Sequence, residues 1–230
     1  MTHPAPTHPT PQIRPVGETA FTVEFGNAVD VMLNRRVHAL DAALRNTPPP
    51  GLLETVPTYC ALLVIYDPGV IAAGAMQTAL QALATQTVAH PIADAVETGA
   101  LLQIPVRYGG ADGPDLADVA AHCALSPEEV VRRHRAPIYT VAMLGFAPGF
   151  AYLLGLPPEL ATPRLATPRL RVPPGSIGIA GAQTGAYALE TPGGWRIIGR
   201  TTIPLFDPAR DAPFTLHAGD RVQFVVDSRR

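Results

Sequence analysis

The sequence contains no lysine: all seventeen of its Lys and Arg residues are arginine. A Schiff-base lysine, a catalytic ammonium group and the lysine of a Walker A phosphate loop are therefore excluded within this chain. Abundant arginine, alanine and proline are also typical of GC-rich coding, but the chemical exclusion holds whatever its cause.

Cysteine is scarce, and the two that occur, Cys60 and Cys123, lie in neither a CxxC nor a CxH arrangement. We interpret Cys60, within the apolar run CALLVIY, as a buried core thiol, and Cys123 as a structural residue of a helical segment. Because a disulfide scaffold is not indicated, the composition favours the reducing cytoplasm.

Several signals of binding or targeting are also missing. A formal net charge of −2 provides no basic field for nucleic acid, and no arginine cluster suits an anionic membrane. No apolar run reaches the roughly 18 residues that span a bilayer, and the N-terminus lacks a signal-peptide apolar region. Neither metal motifs such as HExxH nor the nucleotide motif GxGxxG occur. We ascribe His3 and His8 to a solvated tail rather than to metal binding.

Hydrophobic residues make up 47% of the chain, which is enough for a substantial core. The order of periodic segments predicts an α+β domain over residues 13–98 and a mainly-β domain over residues 99–230. A disordered tail, rich in proline and threonine, is predicted for residues 1–12.

The first domain follows a β-α-β-β-α pattern. We predict a strand over Ile13–Phe25, a helix capped by Asp30, two strands that meet at Pro57 and a helix over Gly74–Thr87. The stretch at residues 91–100 is then predicted to be a linker.

The second domain begins with a predicted strand over Leu101–Tyr108 and a helix over Leu116–Cys123. A capping box at SPEE, with Ser126 as N-cap, predicts another helix that ends near Arg135. Beyond Tyr139, short apolar segments predict a closed or sandwiched β structure. These segments are IYTVAML, SIGIAG, AYALE, WRIIGRT, FTLHAG and RVQFVV.

The segment Gly145–Trp195 combines dense glycine and proline with large aromatic residues, among them Phe146, Phe150, Tyr152 and Trp195. Because large rings anchor packed structure, we predict an ordered, loop-rich surface here rather than a linker. Phe146 and Trp195 are ascribed to the core. For Phe150 and Tyr152, the wall of a pocket for a flat ring, the core and a subunit interface stay open as alternatives.

A direct repeat within this segment, ATPRL-ATPRL, places Arg164 and Arg169 at matching positions of an extended loop. Guanidinium groups suit carboxylate or phosphate, but they also staple loops by bonding carbonyl groups. Both interpretations stay open for these two arginines, and stapling is favoured for Arg200.

The same stretches resemble a known family. GFAPGFAYLLGL, TPRLATPRLRVPPGSIGIAGAQTG, TPGGWRIIGRT and LFDP, with IRPVGETAFTVEFG, LNRRV and IPVRYGG, resemble the B subunit of bacterial 5-oxoprolinase. This family is also described as allophanate hydrolase subunit 1, as KipI-like proteins and as subdomain C of carboxyltransferase domains. The resemblance covers residues 13–226.

The resemblance implies a small α+β N-terminal domain followed by a cyclophilin-like β-barrel domain. It also implies a subunit, inactive alone, of an ATP-dependent cytoplasmic hydrolase that opens 5-oxo-L-proline to L-glutamate. Subunits A and C are the implied partners, ATP is the implied cofactor at a site built from loops, and no metal is expected in this chain. A homo-oligomer is compatible with the composition.

Two other functions stay open. Related proteins include a kinase-inhibitory regulatory protein, which implies tight binding to a histidine kinase. Others are allophanate- or urea-related carboxyltransferase subunits that use biotin. Because this chain has no lysine, a partner would have to carry lysine-linked biotin.

Opening a stable lactam with ATP requires groups that hold oxyanions and the substrate carboxylate. We predict His134, Gln183 and Arg169 as catalytic residues. A helix-dipole role would explain His134 equally well, and a tight hairpin would explain Gln183.

Contacts with substrate or nucleotide are predicted for six residues: Arg164, Phe150, Tyr152, Thr184, Gly185 and Arg200. Ser176 has no adjacent base and no GxSxG frame, so we ascribe it to a turn or to a hydrogen-bonding role. His122 is ascribed to an ordinary helix face.

Overall fold

The computed structural model describes residues 10–89 and 100–227. Contacts divide the chain into two compact units, residues 1–97 and 98–230. His3, His8 and nearly all of the predicted tail and linker lie outside the described residues. Gln12, which the sequence assigned to the tail, instead begins the first strand.

The first unit is a four-stranded antiparallel sheet packed with two helices. Its elements are β1 (Gln12–Val16), β2 (Ala20–Glu24), α1 (Val31–Asn46), β3 (Leu52–Pro57), β4 (Ala61–Tyr66) and α2 (Ala73–Ala89). The strand order is β1-β2-β4-β3. Alternate apolar residues of β2 and β4, such as Val23 and Val64, form one buried cluster with Leu40 of α1 and Leu80 of α2. The predicted α+β pattern is therefore present in this unit.

Local chemistry explains where these elements begin and end. The Asp30 carboxylate accepts hydrogen bonds from the backbone N–H groups of Met32 at 2.8 Å and Leu33 at 2.9 Å, which confirms the predicted cap. The single strand predicted over Ile13–Phe25 is wrong: it is a hairpin, because Gly17 turns the chain with φ +62°.

Cys60 lies just before β4 and is only partly buried, so the prediction of a buried core thiol is wrong. Cys60 is the first residue of the apolar run CALLVIY, whereas β4 begins at the next residue, Ala61. Partial burial is the main reason why the pKa of the Cys60 thiol is raised, and the nearby Glu24 carboxylate adds to the effect.

The second unit is built around a closed barrel of seven strands. The elements of the unit are β5 (Leu101–Tyr108), α3 (Leu116–His122), α4 (Pro127–Arg135), β6 (Tyr139–Leu144), β7 (Ala151–Leu154), β8 (Arg169–Val172), β9 (Ser176–Ala180), β10 (Gln183–Ala186), β11 (Thr191–Gly193), β12 (Arg196–Arg200) and β13 (Arg221–Val226). Around the barrel the order is β10-β7-β6-β13-β5-β12-β9, and β9 pairs with β10 to close it. This confirms the predicted closed β structure.

Strands β8 and β11 lie outside the barrel and form a separate two-stranded sheet. Inside the barrel, β5 and β13 pair in parallel, from Leu101 opposite Arg221 to Val106 opposite Val226. The first and last strands of the unit thus lie side by side. Apolar side chains such as Ile104, Val141 and Ile179 fill the interior.

Two of the predicted strand segments are corrected. AYALE contributes only its first residue, Ala186, to β10, and the backbone N–H of Tyr187 already bonds the carbonyl of Ser176. FTLHAG contains only an isolated bridge between Phe206 and Phe214. Its backbone instead pairs with the preceding loop through the bond from the N–H of Thr215 to the carbonyl of Leu205.

The N-terminus of α4 follows the capping prediction in part. The Ser126 hydroxyl accepts a hydrogen bond from the backbone N–H of Glu129 at 3.2 Å. The Glu129 carboxylate binds Arg132 and Arg133 rather than the N-cap backbone. These hydrogen bonds, first from Arg132 and then from Arg133, lower the pKa of Glu129 to about 2.

Candidate functional site

A carboxylate and a guanidinium group organise the surface beside β8. Both terminal nitrogens of Arg169 donate to Asp115, each at 2.7 Å, and Asp115 Oδ2 also accepts the backbone N–H of Ile197 at 2.6 Å. Asp115 is only 3% exposed. The hydrogen bonds to Asp115 raise the pKa of Arg169 above its ordinary value, because their effect exceeds the opposing effect of burial. A bidentate pair of this kind fixes the orientation of the guanidinium plane.

A cavity of about 170 Å³ opens next to this pair, and we refer to it as the arginine pocket. Its lining includes the following residues: Asp112, Arg169, Arg171, Ser176, Ile197 and Arg200. Strands β8, β9 and β12 therefore each supply part of the wall. The pocket brings together two of the predicted anion contacts, Arg169 and Arg200, and adds Arg171, which was not predicted from the sequence.

The strand sequence RLRV could have indicated Arg171, but the ATPRL repeat ends at Leu170 and does not include it. Side chains two apart on a strand share one face, so Arg169 and Arg171 in RLRV point the same way. Asp115 had no such signal, because its stretch, GPDL, has the composition of an ordinary turn.

The contacts of Arg200 fit both interpretations, loop stapling and anion binding. Its Nε donates to the carbonyl of Pro174 at 2.9 Å, which is the favoured stapling contact. Its side chain nevertheless lines the arginine pocket.

Arg164 lies apart from the arginine pocket. Its guanidinium carbon is 5.9 Å from the centre of the Trp195 ring, a cation–π arrangement on an exposed side chain. The matching positions of the sequence repeat therefore have different surroundings. Arg164 faces an aromatic ring, and Arg169 faces a carboxylate.

Five aromatic rings of the barrel unit contact one another, and we refer to them as the aromatic cluster. Its rings belong to Phe146, Phe150, Tyr152, Tyr187 and Trp195. Trp195 is 4% exposed, which confirms its core assignment, and Phe150 is also buried. Burial raises the pKa of Tyr152, which is partly exposed.

Phe146 does not belong to the core, so that prediction is wrong. It is 63% exposed and adopts a left-handed backbone with φ +68°. Phe146 is the central residue of a three-residue turn, since the N–H of Ala147 bonds the carbonyl of Gly145 at 2.8 Å. The Phe146 ring meets the Phe150 ring of this cluster in a T-shaped arrangement, with ring centres 5.6 Å apart.

His134 is fully buried inside the barrel unit. Thr184 donates to the carbonyl of Gly178 at 2.9 Å, so His134 Nε2 donates to Thr184 at 3.0 Å and Nδ1 accepts from the Tyr108 hydroxyl at 2.9 Å. The imidazole also stacks on Phe224, with centres 4.8 Å apart. This neutral ring has both nitrogens satisfied, and burial lowers its pKa to about 3.

The other predicted residues of the AGAQTGAY stretch lie in the hairpin of β9 and β10. Gln183 is half-buried at the first position of β10, and Thr184 is fully buried. A Cβ on Gly185 would lie 2.8 Å from the Trp195 ring, so glycine permits that ring to pack on the strand. The tight-hairpin alternative describes this stretch, and catalytic or binding roles for these residues remain predictions.

Within residues 10–89 and 100–227, no group of three or more His, Cys, Asp or Glu side chains is placed to hold a metal ion. Over that same part of the chain, no helix combines the length and apolarity needed to cross a bilayer.

The chain has an α+β unit and a closed-barrel unit, and the barrel unit carries an arginine-lined pocket that is a candidate anion site. Comparison with protein families identifies the chain more specifically. A model of the carboxyltransferase domain, subdomain C and D, matches residues 11–216, and the chain belongs to this family.

Curated relatives match nearly the whole chain. The B subunit of 5-oxoprolinase from Escherichia coli O157:H7 is 46% identical over 211 residues, which are 91% of this chain and 93% of the relative. The B subunit of 5-oxoprolinase from Bacillus subtilis strain 168 is 40% identical over 225 residues, 95% and 94% of the two chains. These matches confirm the resemblance predicted from the motifs.

Solved structures agree with the fold. The protein TTHA0988 is 40% identical, with a TM-score of 0.78 over 92% of this chain, and the chain spans 40% of its length. The conserved uncharacterized protein PH0987 from Pyrococcus horikoshii is 44% identical, with a TM-score of 0.56, and the match covers 94% and 97% of the two chains. The Kluyveromyces lactis urea amidolyase is 18% identical with a TM-score of 0.71, over 94% of this chain and 15% of that chain. At that identity, the likeness concerns the fold alone.

Proposed function

We propose that this chain is a subunit of a 5-oxoprolinase, a hydrolase that opens 5-oxo-L-proline to L-glutamate. The observation that carries the proposal is the match to two 5-oxoprolinase subunits, each over more than 90% of both chains. The proposal includes subunits A and C as partners. It also includes a cytoplasmic location and a cyclophilin-like type for the barrel.

The chemistry explains why ATP belongs to the proposal. A lactam is a stable amide, and phosphorylation of its oxygen by ATP turns that oxygen into a leaving group. Water then adds to the carbon, and the ring C–N bond of this adduct breaks to leave an acyl phosphate with a free amine. A second water hydrolyses the acyl phosphate to glutamate and inorganic phosphate, and ADP is the other product. Such a step requires positive charge at the developing oxyanion and at the substrate carboxylate.

The arginine pocket offers that charge through Arg171 and Arg200, and a catalytic role for Gln183 stays a prediction. Arg169 also lines the pocket, and Asp115 fixes its orientation and compensates its charge. His134, being buried and neutral, acts in this proposal by holding Thr184 and Tyr108 in place rather than by exchanging protons with substrate.

The test is glutamate release from 5-oxo-L-proline and ATP in a mixture of this chain with candidate subunits A and C. Each subunit is omitted in turn, and ATP is omitted in a further control. Activity that requires all components supports the proposal. A complete, assembled mixture without activity would overturn it. Assays for histidine-kinase inhibition and for biotin-dependent carboxyl transfer would then test the two alternatives.

A further inference from the structure

The charges around the arginine pocket are unequally compensated. Arg169 is bound at both terminal nitrogens by Asp115. Asp112 lies 2.9 Å from Arg107 Nε, a contact close enough for an ion pair but without hydrogen-bond alignment. Asp112 and Asp115 are therefore already paired with arginines of the protein.

The remaining two guanidinium groups of the pocket keep most of their charge for a ligand. Arg171 Nε is 3.7 Å from Glu190, and both side chains are largely exposed, so water weakens this ion pair. Arg200 binds only a carbonyl oxygen, that of Pro174, among the described residues. That bond orients the guanidinium group and leaves its positive charge uncompensated.

The size of the pocket limits what it can hold. Its volume of about 170 Å³ lies below the ~300–1,000 Å³ of pockets that enclose drug-sized ligands. A nucleoside triphosphate would not fit within it, whereas a small carboxylate or a single phosphate would. The side chain of Ser176 is buried and lines the same cavity, where a rotatable hydroxyl can donate a hydrogen bond.

We infer that Arg171, Arg200 and Ser176 bind one carboxylate or phosphate group of a small ligand, with Arg169 as a fixed wall. Arg164 is not part of this site, because it stacks on Trp195. The inference deepens the proposed function, on which it rests only for the choice of 5-oxo-L-proline as the organic probe.

The test is calorimetric titration of the full chain with inorganic phosphate and, separately, with 5-oxo-L-proline. The neutral carboxamide of 5-oxo-L-proline serves as a ligand that has the same ring without the charge. Arg171→Gln and Arg200→Gln are compared with Arg210→Gln, an exposed arginine outside the pocket lining that gives the same change in net charge.

We expect each pocket variant to bind the anion about tenfold or more weakly, the loss typical of one charge-assisted hydrogen bond. Arg210→Gln should bind like the wild type, and the carboxamide should bind far more weakly than the acid. Binding of phosphate alone would identify a phosphoryl group as the ligand, and binding of 5-oxo-L-proline alone would identify a carboxylate. Competition between the two would show that they share the site.

Absence of binding by both anions would overturn the inference, as would equal affinities for all three arginine variants. These outcomes are separate from the activity of the assembled enzyme. An inactive mixture in which this chain still binds the anion would remove the proposed function and leave the site standing. An active mixture without binding would do the reverse.

Discussion

Asp115 joins three parts of the barrel unit through one buried carboxylate. It starts the helix α3, and it accepts hydrogen bonds from Arg169 in β8 and from the backbone of Ile197 in β12. Removing one partner of such a pair leaves the other with a charge that it must expose or bury alone.

We therefore predict that Asp115→Asn lowers the free energy of unfolding by about 2 kcal/mol, since Arg169 can regain part of its hydration. The matched change Asp118→Asn removes an exposed ion pair with Arg196 and should cost less than about 0.5 kcal/mol. Urea unfolding of both variants measures the difference. Equal effects of the two substitutions would show that the buried pair has no special weight.

His134 makes stability depend on pH in a defined direction. Burial lowers its folded pKa to about 3, while the unfolded side chain titrates near 6.5. Between these values only the unfolded chain binds the proton. The contribution of the histidine is thus complete above pH 6.5 and is lost as pH falls toward 3, at no more than about 1.4 kcal/mol per pH unit.

We expect His134→Gln to reduce the slope of unfolding free energy against pH in that window. The exposed His122 provides the control, and His122→Gln should keep the wild-type slope. Urea unfolding at a series of pH values measures both. A His134→Gln slope identical to the wild type would contradict the buried, neutral imidazole.

At the scale of elements, the strand β10 shows how a glycine serves packing. Gly185 pairs with Tyr152 of β7, and a Cβ on it would lie 2.8 Å from the Trp195 ring and 3.0 Å from the carbonyl oxygen of Ala151. We predict that Gly185→Ala destabilises the protein by about 1–3 kcal/mol through overpacking.

Gly74 in α2 is the matched control for that change. A Cβ there would meet nothing within 4 Å, so Gly74→Ala should be neutral or stabilising by up to about 1 kcal/mol. The midpoint of thermal unfolding should therefore fall for Gly185→Ala and stay unchanged or rise for Gly74→Ala. A Gly185→Ala protein as stable as the wild type would mean that the Trp195 ring moves aside without cost.

Elements were predictable where the signal is local. The bounds of β5 follow from the run LLQIPVRY between a polar stretch and two glycines, and the start of α1 follows from the Asp30 cap. The hairpin of β1 and β2 was missed because alternation continues on both sides of Gly17. Period alone does not distinguish one long strand from two that fold back.

At the scale of the whole molecule, the candidate site depends on pairings that no local pattern contains. Arg169 was predicted as an anion contact, but its partner Asp115 lies 54 residues earlier, and β12 supplies another wall of the same pocket. The family resemblance predicted a barrel, and the motifs carried that information. The resemblance did not indicate which arginines line one pocket, because the folding of the barrel unit brings them together from separate strands.

The division of the chain can be tested through its single tryptophan. Trp195 belongs to the barrel unit, so its fluorescence reports the unfolding of that unit, whereas circular dichroism reports the helices and strands of both. Leu40 and Leu153 are fully buried in separate core clusters, one in each unit. Truncation of either to alanine should cost about 2–5 kcal/mol within its own core.

Leu153→Ala should lower the midpoint of the fluorescence transition. Leu40→Ala should shift part of the dichroism transition and leave the fluorescence midpoint unchanged, because the core that it damages contains no tryptophan. This pattern would support the predicted domain division at residues 98 and 99. If Leu40→Ala lowers the fluorescence midpoint as much as Leu153→Ala does, the two units unfold as one cooperative structure, and the division describes packing without independent stability.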